Sequence, residues 1–287
     1  MDPKEHWLES ADGVRLFVRE WAAEPPQTGL PVFCLHGLTR NALDFERVGP
    51  RIAALGRRVL AMDVRGRGRS GRSPDPGRYH PEVYTADALR VLAALGVESA
   101  VWLGTSMGGL LTMRAAQADG PRVAGAILND IGPVIEPAGV RRIAGYVGQT
   151  PTFPDWEAAA AAIEEVQRAA YPDAEAGFWA AFARRTCREI APGRICFDYD
   201  PAIAAGFQSG QSVAPPDMWE LFAALADTPL LVVRGALSDL LSAETVEEMR
   251  RRKPDLESVE VLRVGHAPTL EEPVVWAAMI DFLARCP

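Results

Sequence analysis

The 287 residues predict an α/β fold in which helices wrap a mostly parallel central sheet. The prediction rests on compact β-branched runs that alternate with longer segments of helical periodicity, and on glycine-bearing turns that close those runs. It rests also on the return of the same rhythm late in the chain after an interruption. Runs that are apolar at nearly every position suit strands covered on both faces, as crossover helices require.

Val14 to Trp21 alternates like a half-exposed early strand. Leu30 to Leu35, Arg58 to Asp63 and Ala100 to Gly104 read as doubly buried strands, and Val123 to Leu128 continues the series. Between them, Asn41 to Leu55, Pro81 to Leu95 and Met107 to Ala118 place apolar residues at helical spacing, with Gly96 and Gly120 as stop signals. From Pro133 to Asp217 the composition shifts to Ala, aromatic residues and Arg. Helical stretches stand out there at Trp156 to Ala170 and Ala174 to Glu189, without a buried-strand pattern. Strand character resumes at Pro229 to Arg234, followed by a helix at Ala243 to Arg252, a strand at Val259 to Arg263 and a closing helix from Glu272 to Arg285. Residues 1–132 and 222–287 are thus expected to form the core, and 133–221 an inserted helical cap. Open α/β sheets bind ligands at the carboxyl ends of their strands, where such a cap would serve as a lid.

Hydrophobic residues make up 48% of the chain and charged residues 24%, the balance of an ordinary globular protein. Against 38 Asp and Glu stand 30 Lys and Arg, a net charge of −8 that argues against a general nucleic-acid binder, whose affinity needs clustered positive charge. No uncharged apolar run is long enough to cross a bilayer, and residues 1–6 have no basic stretch leading into an apolar one. Cys34, Cys187, Cys196 and Cys286 show neither metal-ligand spacing nor the density of a secreted scaffold. The expectation is a cytoplasmic monomer or homodimer without a membrane or nucleic-acid partner.

Gly104-Thr105-Ser106-Met107-Gly108 fits the G-x-S-x-G pattern, with an apolar strand before it and a helical pattern after it. A serine on so sharp a turn adopts a strained backbone, and side chains two residues to either side would collide. At a helix start the Met107 amide points outward unpaired and can donate to a developing oxyanion. His36-Gly37-Leu38, then DVRGRGRS at 63–70, then GTSMGG at 104–109, in this order, resemble the α/β-hydrolase superfamily of the compact, capped kind. The resemblance spans nearly the whole chain, with the cap matching only in position and character. It implies that the residue after His-Gly, Leu38, supplies the second oxyanion amide, and that His36 props that loop.

A serine hydroxyl needs an imidazole to take its proton, and the imidazole needs a carboxylate to set its tautomer. His6 falls in the terminal segment and His80 in a Pro-flanked loop. His266, in Val264-Gly265-His266-Ala267-Pro268, follows the last predicted strand, where a loop can reach Ser106, and the resemblance places its histidine there. Asp239, just past the strand that follows the insertion, gives the order Ser, Asp, His and is the expected acid. Asp130, just after the preceding strand, is the alternative, and its other reading is to hold the start of the cap through turn hydrogen bonds.

Gly66-Arg67-Gly68-Arg69-Ser70-Gly71 matches G-x-G-x-x-G, but Pro74 and Pro76 deny it the helix that a dinucleotide site requires. The resemblance makes this loop structural, with Asp63 and Arg65 tying its neighbours. The constellation implies acyl transfer on a carboxylic ester or lactone of a small, partly apolar substrate, with no metal or organic cofactor. Alternatives within the superfamily are a C–C bond hydrolase of ring-cleavage products, a cofactor-free perhydrolase or haloperoxidase, and an amide hydrolase. Ala267, where the C–C hydrolases are associated with an aromatic residue, counts against the first. A non-catalytic ligand receptor on the same fold is the reading from another class. Aromatic surface in the cap comes from Tyr146, Phe153, Trp156, Phe178, Trp179, Phe182, Phe207 and Trp219. Of these, Trp156 and Trp179 are the candidate substrate contacts, together with Arg184 from the Arg184, Arg185 and Arg188 group. The competing readings are core packing for the rings and a solvated helical face for the arginines.

Overall fold

The computed structural model describes residues 2–205 and 218–287. Its strands, in chain order, are β1 (Lys4–Glu9), β2 (Arg15–Trp21), β3 (Val32–Leu35), β4 (Val59–Asp63), β5 (Ala100–Thr105) and β6 (Val123–Asn129). After them come β7 (Thr152–Phe153), β8 (Cys187–Ala191) and β9 (Arg194–Phe197), then β10 (Leu230–Gly235) and β11 (Glu257–Val261). The main sheet has 8 strands in the order β1-β2-β4-β3-β5-β6-β10-β11. β2 pairs antiparallel with β1 and β4, and the remaining neighbours run parallel. The helices are α1 (Val48–Ala53), α2 (Pro81–Ala94), α3 (Met107–Ala118), α4 (Pro137–Ala144), α5 (Trp156–Gln167), α6 (Ala176–Thr186), α7 (Met218–Ala223), α8 (Ala243–Arg252) and α9 (Pro273–Arg285).

The central strands are apolar throughout because both of their faces are covered. In β3 and β5, Phe33, Leu35 and Trp102 pack on one face, while Val32, Cys34, Val101 and Leu103 pack on the other with Phe282 of α9. Successive strand residues point to opposite faces, so a doubly covered strand admits no polar position. Each such large side chain contributes about 1.5–3 kcal/mol by leaving water. These strands bring the carboxyl ends of β3, β5, β6 and β10 to one edge of the sheet.

Several elements depart from expectation. The helix predicted over Asn41 to Leu55 is a 3-10 turn at Ala42–Phe45, capped by the Asn41 side chain, followed by the short α1. The last strand ends at Val261 because Arg263 turns to φ +57. Segment 133–221 is helical at α5 and α6, where helical stretches were expected, and at α4, but it also carries a three-stranded antiparallel sheet, ordered β7-β9-β8. That sheet escapes periodicity because its strands are short and mostly exposed. β8 also claims Cys187 to Glu189, which were expected to extend α6. Phe207 lies outside the described residues. No helix among the described residues is long and apolar enough to cross a membrane.

Candidate active site

The turn from β5 into α3 places Ser106 at φ 53 and ψ −115, a left-handed conformation rare for a residue with a side chain. The glycines around it allow this. A Cβ on Gly104 would lie 2.3 Å from the Gly108 carbonyl carbon, and one on Gly108 would lie 2.0 Å from the Leu35 carbonyl oxygen. The Ser106 amide donates to Asn129 O (2.9 Å), pinning the turn to the end of β6. Met107 opens α3, so its amide has no acceptor in the preceding turn.

His266 meets this serine from the loop after β11, with Nε2 2.9 Å from Ser106 Oγ. That loop is fastened by the insertion: Gly265 N donates to Ala170 O (2.6 Å), and the Tyr171 hydroxyl to Ala267 O (2.6 Å). Asn129 adds a bond from Nδ2 to Pro268 O (2.8 Å).

The carboxylate against His266 is that of Asp130, with Oδ2 2.8 Å from Nδ1. Asp130 follows β6 at φ 55 and is fully buried. Its Oδ1 accepts from the Gly235 amide (2.8 Å), and its Oδ2 also accepts from the Ser238 hydroxyl (2.6 Å). Asp239, the expected partner, does not reach the imidazole. Its carboxylate is bidentate to Arg142 of α4, at 2.6 and 2.8 Å, and this guanidinium holds it below the usual carboxylate range. Its carbonyl accepts from the Gly139 amide (2.9 Å). The loop after β10 is thereby turned toward α4. The expectation for the acid is corrected to the alternative, Asp130.

Leu38 sits in the turn after β3, beside Ser106: a Cβ on the neighbouring Gly37 would lie 3.7 Å from the Ser106 Cβ. Under the turn lies His36, fully buried. Its Nδ1 donates to Gly37 O (2.7 Å), and its Nε2 accepts from Val64 N (3.0 Å). Burial pulls this imidazole down to about 4, so the neutral ring holds the loop. Arg67, also fully buried, grips both amide-bearing residues: Nε donates to Leu38 O (2.9 Å), and Nη2 lies 3.8 Å from Met107 Sδ.

The arginine-rich loop is built as a structural knot. Asp63 accepts from the amides of Ala42 (2.6 Å) and Arg69 (2.7 Å), and Arg65 forms forked bonds to Asp87 and Asp12. It also joins the insertion, through Gly68 N to Asp198 O (2.9 Å) and Asp200 N to Gly66 O (2.7 Å).

Ser106 and His266 open into a cavity of about 340 Å³ between the sheet edge and segment 133–221. Its walls include Tyr146, Phe153, Tyr171, Phe182, Arg142 and Arg185. None of the three candidate substrate contacts lines it. Trp179 is buried in the insertion's own core, and exposed Arg184 stacks on the Trp156 ring, 3.8 Å from its centroid. Successive helix residues point about 100° apart, so Arg185 turns inward where Arg184 turns out. Ser238 and Tyr171 went unrecognised in the sequence, which carries no motif for either. Among the described residues, no group of three or more His, Cys, Asp and Glu side chains could hold a metal ion.

An imidazole held in this way can take the Ser106 proton at Nε2 while the Asp130 carboxylate accepts a hydrogen bond from Nδ1. A family model described as the alpha/beta hydrolase fold matches residues 31–273. A 3-hydroxybutyrate-oligomer hydrolase from Cupriavidus necator is 35% identical, covering 93% of this chain and 92% of that protein. An N-formylmaleamate deformylase from Pseudomonas putida is 28% identical, covering 96% of this chain and 94% of its own. The crystal structure of an alpha/beta hydrolase from Novosphingobium aromaticivorans superposes with a TM-score of 0.93 at 45% identity, covering 99% of both chains.

Proposed function

The chain belongs to the alpha/beta hydrolase fold family, and on that premise we propose that it is a serine hydrolase of carboxylic esters of small, partly apolar acids. The observation that carries the reading is the hydrogen-bonded series Ser106, His266, Asp130 at the floor of a cavity. In this reading Ser106 Oγ attacks the ester carbonyl as His266 Nε2 takes its proton. Asp130 stabilises the imidazolium, and the amides of Leu38 and Met107 hold the oxyanion. The imidazolium then protonates the leaving alcohol. Water, deprotonated by the same imidazole, attacks the acyl-enzyme and releases the acid.

The apolar and aromatic part of the walls, with Ile143, Phe153, Ile163, Tyr171 and Phe182, suits a modest acyl chain. The ester bond class is supported by the 3-hydroxybutyrate-oligomer hydrolase, whose similarity covers 93% of this chain. The test combines labelling with a substrate panel. A fluorophosphonate should label Ser106, and both labelling and ester turnover should vanish in Ser106→Ala and His266→Ala. A panel of linear esters, lactones, N-formyl amides and a vinylogous diketone then assigns the bond. Well-folded protein that resists the label would refute the nucleophile, and turnover of the amide or the diketone alone would refute the ester.

A further inference from the structure

Three arginines line the cavity above Ser106: Arg40, Arg142 and Arg185. Two of them are neutralised by the protein. Arg40 is clasped by Asp44 and stacks on Phe182, and Arg142 is clasped by Asp239. Arg185 differs. Its residue is only 8% exposed, yet among the described residues its guanidinium has no hydrogen bond, ion pair or ring contact. The acids that share the cavity wall are engaged or peripheral: Asp44 with Arg40, Glu271 with Arg47 (3.2 Å), and Glu165 at the exposed rim.

The backbone that carries Arg185 is rigidly placed. Asn41, itself buried, donates from Nδ2 to Arg185 O (2.9 Å) while its Oδ1 caps the turn at Leu43 (2.9 Å). The adjacent Thr186 hydroxyl accepts from Arg40. The end of α6 is thereby bolted to the segment that follows the oxyanion turn. A guanidinium this little exposed and without a hydrogen-bonded counter-ion is costly, because desolvation and the nearby Arg40 weaken the charged form and the carboxylates of Asp44, Glu46 and Glu271 offset this only in part. Burial accordingly draws this arginine below its ordinary value.

We propose that Arg185 is a substrate-carboxylate site, and that the preferred substrates are esters bearing a free carboxylate which pairs with its guanidinium while the ester carbonyl sits at Ser106. A planar fork of N–H donors matches a carboxylate in two parallel bonds, which a point charge cannot do. The proposal rests on the ester-hydrolase reading above and names its substrate class.

The experiment compares anionic and neutral esters of matched size: monoethyl and diethyl glutarate, with the carboxylate on the acyl side, and 3-acetoxybutyrate and its methyl amide, with the carboxylate on the alcohol side. The readout is the ratio of kcat/KM for the anionic over the neutral member. For at least one pair, the wild-type ratio should exceed one and fall on the order of 10- to 100-fold in Arg185→Gln, chiefly through KM. Arg185→Lys should retain an intermediate ratio. A wild-type enzyme indifferent to charge in both pairs, or a ratio unmoved by Arg185→Gln, overturns the proposal. Thermal melting of each variant guards against misfolding. A measurement on the wild type needs neither variants nor turnover: calorimetric binding of glutarate against glutaramide. Glutarate binding without any ester turnover would sink the ester reading and leave the carboxylate site standing, whereas turnover of neutral esters without glutarate binding would do the reverse.

Discussion

Replacing Asp130 by Asn tests the arrangement at the point where sequence and structure disagree. The carboxylate is fully buried and accepts three hydrogen bonds, from Gly235 N, Ser238 Oγ and His266 Nδ1. An amide of the same shape has only one oxygen. In either orientation its NH₂ faces a donor, the Gly235 amide or the pair on Oδ2. With the NH₂ on the Oδ2 side, the imidazole is driven to the tautomer that carries its hydrogen on Nε2, where it cannot accept the Ser106 proton. The expected loss in kcat is on the order of 10³- to 10⁴-fold, about 4 to 5.5 kcal/mol of activation free energy. Asp239→Asn breaks instead a partly exposed pair with Arg142, at 25% and 31% side-chain exposure, and should cost less than about tenfold in kcat. The assay is ester hydrolysis normalised to fluorophosphonate-titrated sites, with urea unfolding of each variant alongside. Retention of activity within tenfold by Asp130→Asn, with collapse in Asp239→Asn, would refute the assignment.

Other expectations follow from the same geometry. Because burial lowers His36 to about 4 in the folded state from an ordinary value near 6.5, the unfolded chain takes up a proton first as pH falls. The stability contributed by neutral His36 is complete above about pH 6.5 and is lost down to about pH 4, on the order of 3 kcal/mol. Urea midpoints across that range should fall more steeply for the wild type than for His36→Gln, and parallel curves would contradict the reading. Gly108→Ala forces a Cβ to within 2.0 Å of a backbone oxygen and should destabilise by about 3 kcal/mol, whereas Gly120→Ala, with open space around it, should be nearly neutral in thermal melts. Arg67→Leu removes the donor to Leu38 O and should lower kcat per labelled site by about tenfold or more, with KM changing less. Unchanged kcat would show that the oxyanion turn does not depend on this guanidinium.

The core strands were legible because burial on both faces leaves a local signature: uninterrupted apolar runs at β3, β4 and β5 fall within two residues of expectation at each end. The nucleophile turn was legible for a related reason. Its strain is local, and the glycines that relieve it lie two residues to either side of Ser106. Elements stabilised from outside themselves escaped notice. β1 is a half-exposed edge strand held by its pairing with β2, and β7, β8 and β9 cohere only as a small sheet in three dimensions.

Chain order and local pattern therefore settled the fold class and pointed to Ser106 and His266, which the structure brings within hydrogen-bond distance. The partner of the imidazole could not be read in the same way, because Asp130 and Asp239 each follow a strand that ends at the same sheet edge. What separates them is distant in sequence: Arg142 and Gly139 of α4 capture the side chain and carbonyl of Asp239, while Gly235 and Ser238 orient Asp130. The same holds for the cavity wall, where adjacent Arg184 and Arg185 meet solvent and the cavity respectively. A motif records forces acting within a few residues. The direction of a charged side chain is set by whichever counter-charge the rest of the chain brings to it, and that is a property of the folded molecule.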